Sequence, residues 1–208
     1  RDLTREQKRA RAAALRRHED IPLHLAASSA DPAVVKQLLK LYPEGATQMN
    51  SDGKLALHVA LSIGKRDQLH GVVRLDEAQM KRVEANTYLL LEANPLAVGV
   101  PGYRGLLPLE QVLQWEKISM YGAETNGMHL RLVQRLLAAH SEDQQQAHDP
   151  ANAQSRFESL MCALKTPVLS DAIVIQIIRL WPQAVRAKDK HYRTTPLHAA
   201  IKAHRGPD

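Results

Sequence analysis

The chain has 208 residues, 44% of them hydrophobic, a formal net charge of +6 and one cysteine. That length is enough for one domain with a real core. A single cysteine excludes an intrachain disulfide framework and suits a reducing intracellular compartment, cytoplasm or nucleus, with an organelle as the alternative; no apolar run approaches the roughly 18 residues of a membrane helix.

Residues 1–20 carry seven basic and four acidic side chains. Within them, 4–18 read as a polar helix opened by Thr4 with Gln7 three residues on, a capping-box pattern. This helix is expected to cap the rest of the chain, with a basic arm or a targeting remnant as the alternatives. From residue 21 the chain repeats itself. Ile21-Pro22-Leu23-His24-Leu25-Ala26 recurs as Leu55-Ala56-Leu57-His58-Val59-Ala60 and as Thr195-Pro196-Leu197-His198-Ala199-Ala200. Two eroded copies lie between: Leu107-Pro108-Leu109-Glu110-Gln111-Val112 and Glu158-Ser159-Leu160-Met161-Cys162-Ala163. The aligned leucines are 34, 52, 51 and 37 residues apart. The short spacings suit a helix–turn–helix unit that must stack on copies of itself, and the long ones suit the same unit stretched by loop insertions.

A second pattern comes after each of the first four copies. Val34 to Leu41 has helical apolar spacing and ends at Tyr42-Pro43; Tyr88 to Ala93 ends at Asn94-Pro95; Ile173 to Leu180 ends at Trp181-Pro182. Leu130 to Leu137 is the copy in the third unit. Pro43 and Pro95 are 52 residues apart, as are Leu57 and Leu109, so two independent markers locate one insertion. The run 173–178 alone also fits a buried strand, but its place between a first helix and Trp181-Pro182 favours helix. Asn50-Ser51-Asp52-Gly53 is a strong tight-turn signal. Gly102-Tyr103-Arg104-Gly105 is a weaker one, and 189–193 lacks the glycine. Residues 64–76 read as an irregular loop before a lengthened helix near 76–93; 120–129 and the polar stretch 141–156 read as the other insertions.

Residues 195–200 match the Thr-Pro-Leu-His-x-Ala signature of ankyrin repeats at every position, and the chain resembles that family throughout 21–208. The resemblance implies an all-α ankyrin-repeat solenoid of about five helix–turn–helix repeats with hairpin fingers, two with long insertions. Their approximate bounds are 21–54, 55–106, 107–157, 158–194 and an incomplete 195–208, after the cap at 1–20. In the family the proline opens the first helix, the leucine and alanine face the core, and the histidine hydrogen-bonds near the neighbouring turn. That makes Pro22, Leu23, His24, Ala26, Leu57, His58, Ala60, Pro108, Leu109, Pro196, Leu197, His198 and Ala200 structural. Glu110 stands in the histidine position of the third repeat. The fifth repeat lacks a second helix, which suggests a segment of a longer or processed protein, or a partner covering its apolar side.

Catalytic patterns are missing from the sequence: no phosphate-cradling glycine loop, no His-Glu-x-x-His, no Cys-x-x-Cys. The chain is expected to be non-enzymatic, with no metal and no cofactor. His129 and His140 read as loop or polar-face residues. Trp181 and Cys162 read as core. A protein partner with an acidic surface is expected to bind the concave face made by the fingers and the first helices. Tyr103, Arg104, Lys188, Lys190, His191 and Tyr192 fall on fingers; Trp115 aligns with Ser29 on an inner helix and reads as a contact anchor, unless 120–129 folds back and buries it. The leading reading is a protein–protein interaction module. A structural subunit of a larger, organellar assembly is the alternative, and nucleic-acid binding through the basic residues of 179–208 is less favoured.

Overall fold

A computed structural model describes residues 21–29, 31–62, 77–102, 105–117, 123–140, 153–165, 169–188 and 194–204. The expected cap at 4–18 and the insertions at 64–76 and 141–152 lie outside them. Among the described residues the protein is all-helical, with nine α-helices and no strand. These are α1 (Pro22–Ser29), α2 (Pro32–Leu41), α3 (Ala56–Ala60), α4 (Glu77–Ala93), α5 (Pro108–Leu113), α6 (Ala123–Ala139), α7 (Ala153–Lys165), α8 (Asp171–Leu180) and α9 (Pro196–His204). None of them is long and apolar enough to cross a membrane.

The helices pair in chain order, α1 with α2, α3 with α4, α5 with α6 and α7 with α8. First helices also touch first helices from α1 to α9, and second helices touch second helices from α2 to α8, so the pairs form a two-layer row. One continuous core runs from Leu23 to Ala184. Leu23, Leu57, Leu109 and Leu160, the repeated leucines, are all buried in it. Pro22, Pro108 and Pro196 each open a helix, where a missing N–H costs nothing. The isoleucine-rich run is helical in α8, with Ile173 and Ile177 facing the core.

Second helices end the same way three times. Tyr42, Asn94 and Trp181 each donate N–H to a carbonyl four residues back, at 2.8, 2.9 and 2.9 Å. Each takes φ between −127° and −146° with ψ between 65° and 84°. The proline that follows disfavours α geometry at the preceding residue, and a short 3₁₀ turn comes next: Pro43–Ala46, Pro95–Gly99 and Pro182–Arg186.

Two readings are corrected. Residues 123–129 are not an insertion loop but the first two turns of α6, and α7 begins at Ala153, inside the stretch read as a polar loop. The turn at Gly102 repeats the backbone bonds of the one at Asn50, where Asn50 Oδ1 also accepts the N–H groups of Asp52 and Lys54. Asn50 and Gly102 donate N–H to Lys54 and Leu106 O, and Gly53 and Gly105 donate to Asn50 and Gly102 O, all at 2.9 Å. Gly53 and Gly105 hold φ of 70° and 73°, which only glycine adopts cheaply.

Gly102 is required for a different reason. A Cβ there would lie 2.5 Å from His58 Cδ2. The ring cannot retreat, because both its nitrogens are bonded. Gly102→Ala is expected to destabilise the fold by about 1–3 kcal/mol, and far less in a His58→Ala background, a coupling that a double-mutant cycle in urea would measure.

Candidate interaction surface

The histidines occupy the third position of the first helices. His58 Nδ1 accepts the N–H of Leu55 at 3.2 Å, and Nε2 lies 2.9 Å from Val100 O. Because Nδ1 accepts, Nε2 carries the proton and donates it. His24 Nε2 lies as close to Lys54 O, at 2.9 Å, while its Nδ1 has no hydrogen-bond partner among the described residues. Each ring thus stitches its own helix to the chain beside the next turn, Lys54 following the turn at Asn50 and Val100 preceding the one at Gly102. His198 repeats the first half: its Nδ1 receives the N–H and hydroxyl of Thr195 at 3.3 and 2.7 Å. Burial holds the His58 ring down at about 4, against an ordinary value of 6.5.

Glu110 keeps half of the device. Its carboxylate accepts the Leu107 N–H at 2.7 Å, as a glutamate at a helix's third position does in a capping box. The other half is inverted. Where histidine donates onward, a carboxylate can only accept; the charge of Arg156 on α7 attracts it, but Glu110 Oε1 has no hydrogen-bond partner among the described residues. The side chain is fully buried, and burial outweighs these partners, pushing the carboxyl up to about 7.

Of the seven residues expected to touch a partner, Tyr103, Arg104, Lys190, His191 and Tyr192 lie outside the described residues. Lys188 is exposed just after the 3₁₀ turn Pro182–Arg186. Trp115 is not a surface anchor. It is 4% exposed, its indole donates to Leu61 O at 3.1 Å, and it stacks on His129 with centroids 6.2 Å apart. The reason is local: α5 ends at Leu113 and the chain tightens into a 3₁₀ turn over Gln114–Lys117, which rotates the register away from a straight helix. His129 is no loop residue either. It is buried in α6 and bonds Val112 O at 3.0 Å. Burial lowers it, and lowers the half-buried His140 to about 4.

Of the motif residues, Leu197 departs from the expected burial. It is 65% exposed, because no described element packs over it as α2 packs over Leu23. Among the described residues, no three His, Cys, Asp or Glu side chains gather as metal ligands would. Trp181 and Cys162 are buried, as expected.

Sequence reasoning missed a cluster on the second helices. Glu84 is held by Arg131 through Nε and Nη2 at 2.6 and 2.9 Å, Tyr88 donates to Glu84 at 3.1 Å, and the Arg135 guanidinium lies 5.6 Å from the Tyr88 ring centre. The Arg131 hydrogen bond holds the Glu84 carboxyl below its usual range. The one signal for it was a four-residue spacing within each helix, Glu84 to Tyr88 and Arg131 to Arg135. No protein-family model, no curated protein and no solved structure matches the chain.

The buried groups set opposing pH slopes. A histidine kept neutral loses stability as pH falls from about 6.5 toward 4, because the unfolded chain takes up a proton the folded one refuses. Glu110 does the reverse: its folded form prefers the proton, so stability falls as pH rises from about 4.5 toward 7. Glu110→Gln keeps an oxygen for Leu107 and has no charge to desolvate. It should gain on the order of 2–3 kcal/mol relative to wild type between pH 5 and pH 8 in urea unfolding. Parallel pH profiles would mean that the carboxyl stays ionised throughout.

Proposed function

We propose that the chain is a non-enzymatic protein–protein interaction module of the ankyrin-repeat type. The observation that carries this reading is recurrence at the level of single atoms. The turns at Asn50 and Gly102 share one backbone hydrogen-bond pattern, all at 2.9 Å, and His24 and His58 each bond a carbonyl flanking one of them. A row built this way presents a regular edge of turns and first helices, and recognition is the work such rows do. Lys188, exposed beside the last described turn, supports an acidic partner surface.

A second reading, a structural subunit of a larger assembly, is favoured by one feature. Leu197 and Ile201 of α9 are 65% and 49% exposed, whereas the leucines aligned with Leu197 are buried.

Crosslinking of the whole chain in native extract, with mass-spectrometric mapping, tests both. The first reading expects crosslinks from Lys188 to a separate protein, and weaker capture by Lys188→Glu. It also expects that Trp115→Phe lowers stability by about 1–3 kcal/mol, through the unpaired Leu61 carbonyl, without weakening capture. Crosslinks confined to α9 and fixed in stoichiometry would favour the subunit reading. Recovery of no protein at all would count against both.

A further inference from the structure

The second helices meet along the row, and two of their junctions differ in construction. Between α4 and α6 the junction is bridged: a carboxylate and an aromatic ring from one helix meet two arginines one turn apart on the next. Between α2 and α4 it is open. A groove of about 220 Å³ lies there, lined by Lys36, Leu39 and Lys40 from α2 and by Leu89, Glu92 and Ala93 from α4. Leu39 and Leu89 are half-buried and form an apolar floor. Lys36 and Lys40 are exposed one turn apart on one wall, and neither is ion-paired among the described residues.

We infer that this groove binds an acidic amphipathic helix of a partner protein. The volume is below the roughly 300–1,000 Å³ of small-molecule pockets, and the groove is open, so it suits side chains delivered by a peptide. The floor takes an apolar side chain from the helix, and carboxylates one turn apart on its flank meet Lys36 and Lys40. The bridged junction shows in the same molecule that cations on a second helix can hold a carboxylate from a neighbouring helix. Glu92, on the opposite wall, sets the orientation, because it repels a helix presenting acidic residues on both flanks. The inference rests on the interaction-module reading and places a contact on the second helices, away from the turns.

The test uses the full chain, isotopically labelled, and a short synthetic helical peptide with a leucine stripe flanked on one side by glutamates. Its counterpart carries lysines in place of the glutamates. The expected result is amide shifts confined to α2 and α4 around the groove, with affinity that falls as salt is raised. The double variant Lys36→Glu/Lys40→Glu, which changes only exposed side chains, should bind about tenfold more weakly or worse. Shifts centred elsewhere, equal binding of the lysine peptide, or an affinity unmoved by the double variant would each overturn the groove. If the groove fails while the native-extract crosslinks to a separate protein persist, this inference alone falls. If both fail, the interaction reading falls with it.

Discussion

A helix of five residues, such as Ala56–Ala60, closes almost no internal ladder; nearly all its N–H and C=O groups need partners from outside. An unpaired buried carbonyl costs about 1–3 kcal/mol, so a row of short helices stands only if its neighbours fill those positions. They do so repeatedly. Asn86 donates to Ala27 O and Asn94 to Ala46 O, at 3.4 and 3.1 Å. Trp115 donates to Leu61 O and His129 to Val112 O. His24 and His58 donate to the carbonyls of Lys54 and Val100, one just after a turn and one just before the next. Apolar burial drives the pairs together, and these donors fix where they stop.

The same constraint explains why one position accepts two chemistries. The third residue of a first helix can accept a backbone N–H from the helix start, although His24 Nδ1 has no such partner among the described residues. Histidine and glutamate both can, and His58 and Glu110 both do. What differs is the outward side. A histidine suits a following turn that offers a carbonyl, as at Val100. Glutamate suits a following helix that brings a positive charge, as α7 does with Arg156. The third copy of the motif is therefore not simply worn. It is matched to a different neighbour, and the cost is a buried carboxyl whose proton is held up to about 7.

Much of the fold was readable in the sequence because its signals are strong and local. Leucines recurring at about one repeat length, a proline at the first helical position and a proline after Tyr42, Asn94 and Trp181 mark helices by sterics alone. Signals that depend on angle were not readable. Trp115 stands in an exposed slot if α5 continues straight; the 3₁₀ turn at Gln114–Lys117 turns it inward, and nothing in the residues Gln114 to Lys117 announces that tightening. His129 was hidden because Thr125, Asn126 and Gly127 are weak helix formers, so the start of α6 reads as loop. The turn at Gly102 looked weak for lack of an Asp or Asn. Its constraint comes instead from the His58 ring, which presses so closely on the backbone that no Cβ fits there. The surface was the least readable part, since charges on the second helices pair or stand alone according to how the helices are set against one another.

The histidine ties also give the row a direction. Each ring belongs to one pair and grips the turn that opens the next, never the turn behind it. Damage therefore propagates asymmetrically: losing the ring at His58 frees the turn at Gly102 and whatever that turn positions, while the turn at Asn50 keeps its own clasp from His24. The molecule behaves less like a stack of equal plates than like a row of links, each latched by the one before it. Local opening should accordingly run forward along the chain from any broken latch.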